Sequence, residues 1–135
     1  MCRTMMYFNV LILFVLSISG TSAQQVPTLF KLLPESITGI AFNNQLFEND
    51  TLNILNQANI YNGGGVGMGD FNQDGLIDIY FAGNMVSSKL YLNKGKMQFE
   101  DITQVANVNG HDRWITGVSV VDINADGLPD IYLSA

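Results

Sequence analysis

Hydrophobic and polar residues alternate in short runs along the chain after residue 63, and this period of two predicts β-strands. Each run has four to seven residues and is bordered by Asn, Gly, Lys or Ser, the residue types that favour turns. No run after residue 23 has the spacing of an amphipathic helix of useful length. The sequence therefore predicts an all-β fold. The six runs are GVGMGD, DIYFAG, KLYLN, MQFEDI, TGVSVVD and DIYLS.

Three less regular segments lie between or before these runs. The stretch LYLNKGKMQF predicts a β-hairpin with its turn at residues 93–96. Residues 104–108 predict either one helical turn or a loop. The amide-rich residues 24–61, which contain two of the three prolines, predict short strands and turns.

An internal repeat organises the second half of the chain. Residues 62–83 laid over residues 114–135 give ten identities in 22 positions, and the match extends from an acidic loop into both flanking strands. A period near 50 residues with about four strands per unit is typical of β-propeller blades. The repeat therefore predicts that each unit is one blade.

The acidic loops DFNQDGLID and DINADGLPD have the composition of a calcium-binding loop. Oxygen-bearing side chains stand at positions 1, 3, 5 and 9, glycine at position 6 permits a positive-φ turn, and the carbonyl of position 7 adds a ligand. The predicted ligands of the first loop are Asp70, Asn72, Asp74, Leu76 and Asp78. Those of the second loop are Asp122, Asn124, Asp126, Leu128 and Asp130.

The types of ligand favour calcium over other metals, and the sequence around the loops differs from that of an EF-hand. All are hard oxygen atoms without thiolate or imidazole, which disfavours zinc and copper, and a many-oxygen loop suits calcium better than the small octahedron of magnesium. An EF-hand needs a Glu at position 12 and flanking helices, whereas position 12 here is Phe81 or Leu133 and strands follow each loop.

The N-terminus predicts export. Residues 1–23 have one Arg, an apolar run and then small residues, which is the order of a cleaved signal peptide. The remaining 112 residues would carry a net charge near -7, which argues against nucleic acid and anionic membranes as partners. The only cysteine, Cys2, lies in the signal segment, so the mature chain would have no disulfide. A bound metal ion is one candidate for stabilising the fold in its place.

Three other features are interpreted as structural. The glycines of GGGVGMG fit neither phosphate-binding glycine motif and predict a strand with one bare face packed close to another backbone. Residues 111–114, HDRW, predict a rim loop with Trp114 at a blade edge rather than a catalytic group. Tyr80, Tyr91 and Tyr132 predict packing between sheets, with a binding role open for one of them.

The segments DFNQDGLIDIYF and DINADGLPDIYL resemble the FG-GAP or VCBS repeat of integrin α-subunit propellers and many exported bacterial proteins. Residues 61–135 are also similar to the propeller of ASPIC/UnbV-type proteins, relatives of cartilage acidic protein, with residues 24–60 as a lead-in. The resemblance implies a seven-bladed β-propeller with calcium in the loops. A closed ring needs more blades, so we expect one to two blades of an incomplete propeller in a chain that is an N-terminal fragment.

These observations predict a secreted or cell-surface, calcium-binding scaffold, not an enzyme, that recognises an extracellular protein or glycan. Two alternatives stay open. The chain could be the accessory propeller of a larger exported enzyme, or a dockerin-like calcium-dependent docking module. Helices after the loops would favour the docking module, and the predicted strands speak against it.

Overall fold

The structure is a computed structural model that describes residues 28–110 and 113–135. The predicted signal peptide, residues 1–23, and residues 111–112 of the predicted rim loop lie outside the described residues. The unit that carries the repeat spans Leu33–Ala135. Within the described part of the chain, no helix has the length and apolar character needed to cross a membrane.

Two antiparallel sheets form this unit. The first contains β1 (Val66–Gly69), β2 (Asp78–Phe81), β3 (Lys89–Asn93) and β4 (Phe99–Asp101), in sequence order. The second contains β5 (Gly117–Val121) and β6 (Asp130–Ser134). The described helices are α1 (Glu35–Thr38) and α2 (Thr103–Ala106), one turn each. Each predicted run forms one strand, and the all-β prediction is confirmed. Neither described sheet closes into a barrel.

The structure shows the predicted hairpin and decides the form of residues 104–108. In the β3–β4 hairpin, Asn93 lies opposite Phe99, and the N–H of Lys94 donates to the carbonyl of Gln98 at 2.8 Å. Gly95 supplies the positive φ, +81°, that the turn requires. The first three residues of the segment 104–108 lie in the turn of α2, and Asn107, which follows α2, has the left-handed conformation.

The expectation of short strands in residues 24–61 is wrong for the part that the structure describes, which has no strand between residues 28 and 61. Amide side chains bind the nearby backbone there instead. The side-chain oxygen of Asn49 accepts hydrogen bonds from the N–H groups of Thr51 and Leu52, and that of Asn53 does the same for Leu55. Such local bonds compete with strand pairing.

The core lies between the two sheets, which pack face to face. Tyr80, Leu90 and Ile115 are buried at its centre, and Val118 and Leu133 of the second sheet pack against them. The hydroxyl of Tyr80 donates to the carbonyl of Val108 at 2.9 Å, so this buried phenol is satisfied.

Three glycines make this close packing possible, Gly65 directly before β1 and Gly67 and Gly69 within it. A Cβ atom on Gly65 would lie 2.6 Å from the backbone nitrogen of Val118, and one on Gly67 would lie 2.7 Å from its Cγ1. A Cβ atom on Gly69 would lie 3.0 Å from Cγ1 of Val120. The predicted bare strand face is therefore confirmed, and its partner is β5.

The lead-in segment covers part of the opposite face of the first sheet. The ring of Phe42 stacks on that of Phe81 with centroids 5.1 Å apart. The N–H of Ala41 donates to the hydroxyl of Tyr91 at 3.3 Å. Tyr80 packs between the two sheets as predicted. Tyr91 is buried under the lead-in on the opposite face and Tyr132 is 59% exposed, so the predicted packing between sheets is wrong for these two among the described residues.

Candidate functional site

The two acidic loops occupy equivalent places in the two sheets. Residues 70–78 join β1 to β2, and Gly69 pairs with Asp78 where the loop closes. Residues 122–130 join β5 to β6, and Val121 pairs with Asp130. Position 1 of each loop thus directly follows one strand, and position 9 begins the next.

The carboxylate at position 1 holds the middle of each loop by backbone hydrogen bonds. Asp70 accepts from the N–H of Asp74 at 3.0 Å and from that of Gly75 at 2.8 Å. Asp122 accepts from the equivalent groups of the second loop at 3.1 and 2.8 Å. Gly75 has φ +83°, which confirms the positive-φ turn predicted at position 6.

The side chains at positions 3 and 5 bind each other. The amide nitrogen of Asn72 donates to one carboxylate oxygen of Asp74 at 2.9 Å, and the N–H of Leu76 donates to the other at 2.8 Å. These two hydrogen bonds hold the pKa of Asp74 below its ordinary value, and the bond from Asn72 has the larger effect. Asn124, Asp126 and Leu128 repeat both bonds at the same distances.

Position 9 differs between the loops. Asp78 is fully buried and accepts from the N–H of Phe71 at 2.9 Å and from that of Asn93 at 2.8 Å. Asp130 is only half-buried and accepts from the N–H of Ile123 at 3.0 Å. The second bond of Asp78 ties the first loop to β3.

Asn93 is a site residue that the sequence interpretation missed. Its side-chain amide donates to the carbonyl of Ile77 at 2.9 Å, while its own N–H binds the carboxylate of Asp78. Its position as the first residue of the predicted hairpin turn was the only available signal. The loop is thus held from both of its neighbouring strands and from the next hairpin.

The loop chemistry fits a hard cation in its donor types. Carboxylate and amide oxygens at four positions of each loop are the ligands that calcium prefers. In the described residues, no group of three or more Asp, Glu, His or Cys side chains is arranged to hold a metal ion. The carboxylates instead accept hydrogen bonds from backbone N–H groups. The structure thus brings the ten predicted ligands together in two loops, but metal binding by these loops stays a prediction.

Residues 70–133, from the first acidic position to the penultimate residue of β6, match the family model of the FG-GAP-like repeat. This part of the chain is an FG-GAP-like repeat region. The match confirms the predicted family, and the strands fit an all-β fragment of FG-GAP propeller blades. No curated protein and no solved structure matches the chain significantly. Membership of the ASPIC/UnbV-type or cartilage acidic protein-like group stays a prediction.

The FG-GAP-like region also borders a cleft of about 560 Å³. Trp114, predicted at a blade edge, is half-buried there. Three side-chain amides, a hydroxyl and small residues complete its wall. The lining residues are Gln57, Asn59, Asn62, Gly63, Trp114, Thr116 and Ala135. None of these described lining residues has a charged side chain.

One ion pair of the FG-GAP-like region lies away from the acidic loops in sequence. The ammonium of Lys89 on β3 lies 2.8 Å from the carboxylate of Asp101 on β4. Burial raises the pKa of Asp101, but the hydrogen bonds from Lys89 and Thr103 outweigh it and the net pKa is lowered. The same bond to Asp101 raises the pKa of Lys89.

Proposed function

We propose that this chain is an exported β-propeller-type binding module in which loops 70–78 and 122–130 each hold one calcium ion. The observation that carries the proposal is the repetition of one hydrogen-bonded acidic loop at equivalent ends of two packed sheets. FG-GAP-like repeats occur in extracellular and cell-surface proteins, which supports export and a role in recognition outside the cell.

The calcium ions would stabilise the folded chain. Two carboxylates about 5 Å apart repel by roughly 3 kcal/mol at an effective dielectric constant near 20, and a divalent cation reverses the sign of this term. Extracellular calcium modules bind with Kd values of about 10⁻⁴–10⁻³ M. At ~1 mM calcium and a Kd of ~0.1 mM, each ion would stabilise the fold by about 1.4 kcal/mol. Side chains at positions 1, 3, 5 and 9 and the carbonyl at position 7 would provide the ligands.

The ligand that we propose for the module is an extracellular glycan or protein, and the cleft beside Trp114 favours a glycan. Amide and hydroxyl groups can hydrogen-bond to sugar hydroxyls, while the apolar face of an indole can pack against a sugar ring. The strands that follow both loops disfavour the dockerin-like alternative. The accessory-propeller alternative is decided by the presence or absence of a catalytic domain in a longer reading frame.

A two-stage titration tests this proposal. In the first stage, calorimetry and melting temperatures in calcium and in chelator are compared for the unaltered chain, Asp74→Ala and Asp126→Ala, with Asp50→Ala as an exposed acidic control outside the loops. We expect the calcium-dependent rise in melting temperature to fall by about half in each loop variant and to persist in the control. The difference between calcium and chelator is the deciding quantity, because both loop variants also lose hydrogen bonds.

In the second stage, neutral oligosaccharides are added to the calcium-loaded chain while the emission of Trp114, its only tryptophan, is followed. A saturable change in emission is expected. Absence of binding heat and of any calcium-dependent shift would contradict the calcium part. Unchanged emission with every sugar would contradict the glycan part and leave a protein as the ligand to test.

A further inference from the structure

Two Asn-Gly dipeptides occur in the chain, at residues 62–63 and 109–110. An asparagine that precedes a glycine is a reactive pair, because glycine has no Cβ atom to shield its backbone nitrogen from the neighbouring side-chain amide. That nitrogen can attack the amide carbon, which is one reason why asparagine belongs to the thermolabile residue types. The structure places the two dipeptides in opposite surroundings.

The first dipeptide lies in an open turn before β1 and belongs to neither sheet. Asn62 is exposed, and a Cβ atom added to Gly63 would meet no atom within 4 Å. Among the described residues, neither the side-chain amide of Asn62 nor the N–H of Gly63 has a hydrogen-bond partner. The turn is held through other atoms, the N–H of Asn62 and the carbonyl of Gly63. The two groups that must react with each other are therefore unoccupied.

The second dipeptide is packed against its surroundings. Gly110 is buried, and a Cβ atom there would lie 2.7 Å from Cδ1 of Ile115 and 2.8 Å from Oγ of Ser88. The carbonyl of Asn109 accepts the N–H of Ser88 at 2.9 Å, which fixes the peptide group that a ring closure would have to rotate. This dipeptide can react only after the segment opens locally, and such opening costs free energy.

We propose that Asn62 is a site of spontaneous deamidation and that the fold protects Asn109 from the same reaction. In the first step a base from the solvent removes the proton of the Gly63 N–H, and the nitrogen forms a bond to Cγ of Asn62. The bond from Cγ to Nδ2 breaks, and Nδ2 takes up a proton and leaves as ammonia. In the second step water opens the resulting succinimide ring at either carbonyl, which leaves an aspartate or an isoaspartate residue. Overall, one amide and one water give one carboxylic acid and one ammonia, without oxidation or reduction.

The product changes the cleft beside Trp114. Asn62 lines this cleft, whose described lining residues have no charged side chain, so the reaction adds a carboxylate that is ionised at neutral pH. The isoaspartate product also lengthens the main chain by one atom directly before Gly63, whose carbonyl accepts a hydrogen bond from Asn84 at 3.3 Å. An aged molecule therefore differs from a new one in the charge and the backbone of its cleft. Because the only co-reactant is water, the proposal is independent of the proposed calcium ions and glycan.

Asn59 provides a comparison within the same cleft. It is exposed and lines the cleft as Asn62 does, but the residue after it is Ile60. Ile60 is fully buried, and its N–H donates to the carbonyl of Gln57 at 3.0 Å. The nitrogen that would have to attack is therefore occupied, and the β-branched side chain of Ile60 shields it. We expect Asn59 to stay intact while Asn62 reacts.

The test follows the full chain over time at neutral pH and physiological temperature, in water enriched in heavy oxygen. Tandem mass spectrometry of its peptides gives the deamidated fraction at each asparagine, the isoaspartate content and the oxygen taken up from the solvent. We expect Asn62 to react at least about tenfold faster than Asn109 and Asn59, because these two react only from locally opened states. Asn62→Gln should remove the fast-reacting fraction, and Asn59→Gln, the matched control in the same cleft, should leave it unchanged.

The deciding sample is the unaltered chain in denaturant. Both Asn-Gly pairs are accessible there, so the rates at Asn62 and Asn109 should converge, and circular dichroism verifies which samples are folded. Equal rates at the two sites in the folded chain would overturn the proposal, and so would a difference that persists unchanged in denaturant. A product at Asn62 that contains no isoaspartate, or that has taken up no heavy oxygen, would overturn the cyclic route.

Discussion

The buried carboxylate of Asp78 provides a quantitative test of how the first loop is held. Substitution by Ala removes the acceptor of two backbone N–H groups, those of Phe71 and Asn93, in a position without solvent access. The same substitution at Asp130 removes the acceptor of Ile123 alone, in a half-buried position. The two variants therefore change the same repeat position and differ in the number and burial of the bonds lost.

Hydrogen bonds to a charged group contribute about 1.5–3 kcal/mol each, and a buried donor that is left unpaired adds its desolvation cost. Because neighbouring bonds do not add fully, we expect Asp78→Ala to lower the free energy of unfolding by about 3–5 kcal/mol and Asp130→Ala by about 1–2 kcal/mol. Asp78→Asn keeps the size and one acceptor oxygen, so it should lie between them. For a domain of 60–100 residues, each kcal/mol corresponds to a shift of about 4–8 °C in Tm.

The measurement is urea denaturation followed by the fluorescence of Trp114, with chelator present so that metal binding cannot contribute. Far-ultraviolet circular dichroism serves as the second probe of two-state unfolding. Equal losses for Asp78→Ala and Asp130→Ala would refute the reasoning, because they would show that the bond to Asn93 and the burial of Asp78 add nothing.

Two further predictions concern the sheets. Gly65→Ala should lower the free energy of unfolding by about 1–3 kcal/mol, because its Cβ atom would lie 2.6 Å from the backbone of Val118. Gly117→Ala, at the equivalent repeat position, should be nearly neutral. Equal melting temperatures of the two variants would contradict the packing argument. The lowered pKa of Asp101 means that its pair with Lys89 stabilises the fold above pH 3.8 and loses this contribution as pH falls through the folded pKa of Asp101. On the alkaline side, the raised pKa of Lys89 means that the contribution is complete below pH 10.5 and is lost as pH rises through the folded pKa of Lys89. Asp101→Asn should therefore flatten the acid side of the pH–stability curve, by less than about 1 kcal/mol for so exposed a pair, and an unchanged curve would show that the pair contributes nothing.

The strands and the sheet contact could be predicted because their signals are local. Alternation in DIYFAG and DIYLS places β2 and β6, and glycine at every second position of GVGMG indicates a face without side chains. The identity of the partner on that face, β5, follows only from the folded chain.

The remaining features depend on contacts distant in sequence. Tyr80 and Tyr132 occupy the same repeat position, yet one is buried and the other is 59% exposed, because the first lies under β5 and no described residue covers the second. The stacking of Phe42 on Phe81 likewise joins residues from different segments. The donor types of the acidic loops were readable in the sequence, but the bond from Asn93 to Asp78 comes from the next hairpin.

In both sheets every strand pairs only with its neighbours in the sequence, with no crossover. A gene segment that encodes one such unit could therefore be duplicated in tandem without breaking an existing ladder of backbone bonds. The added repeat would need only a sheet face to pack against, and the preceding repeat already exposes one. Growth of this kind is open to unequal recombination, and length variation among relatives should occur in whole repeats rather than in single strands.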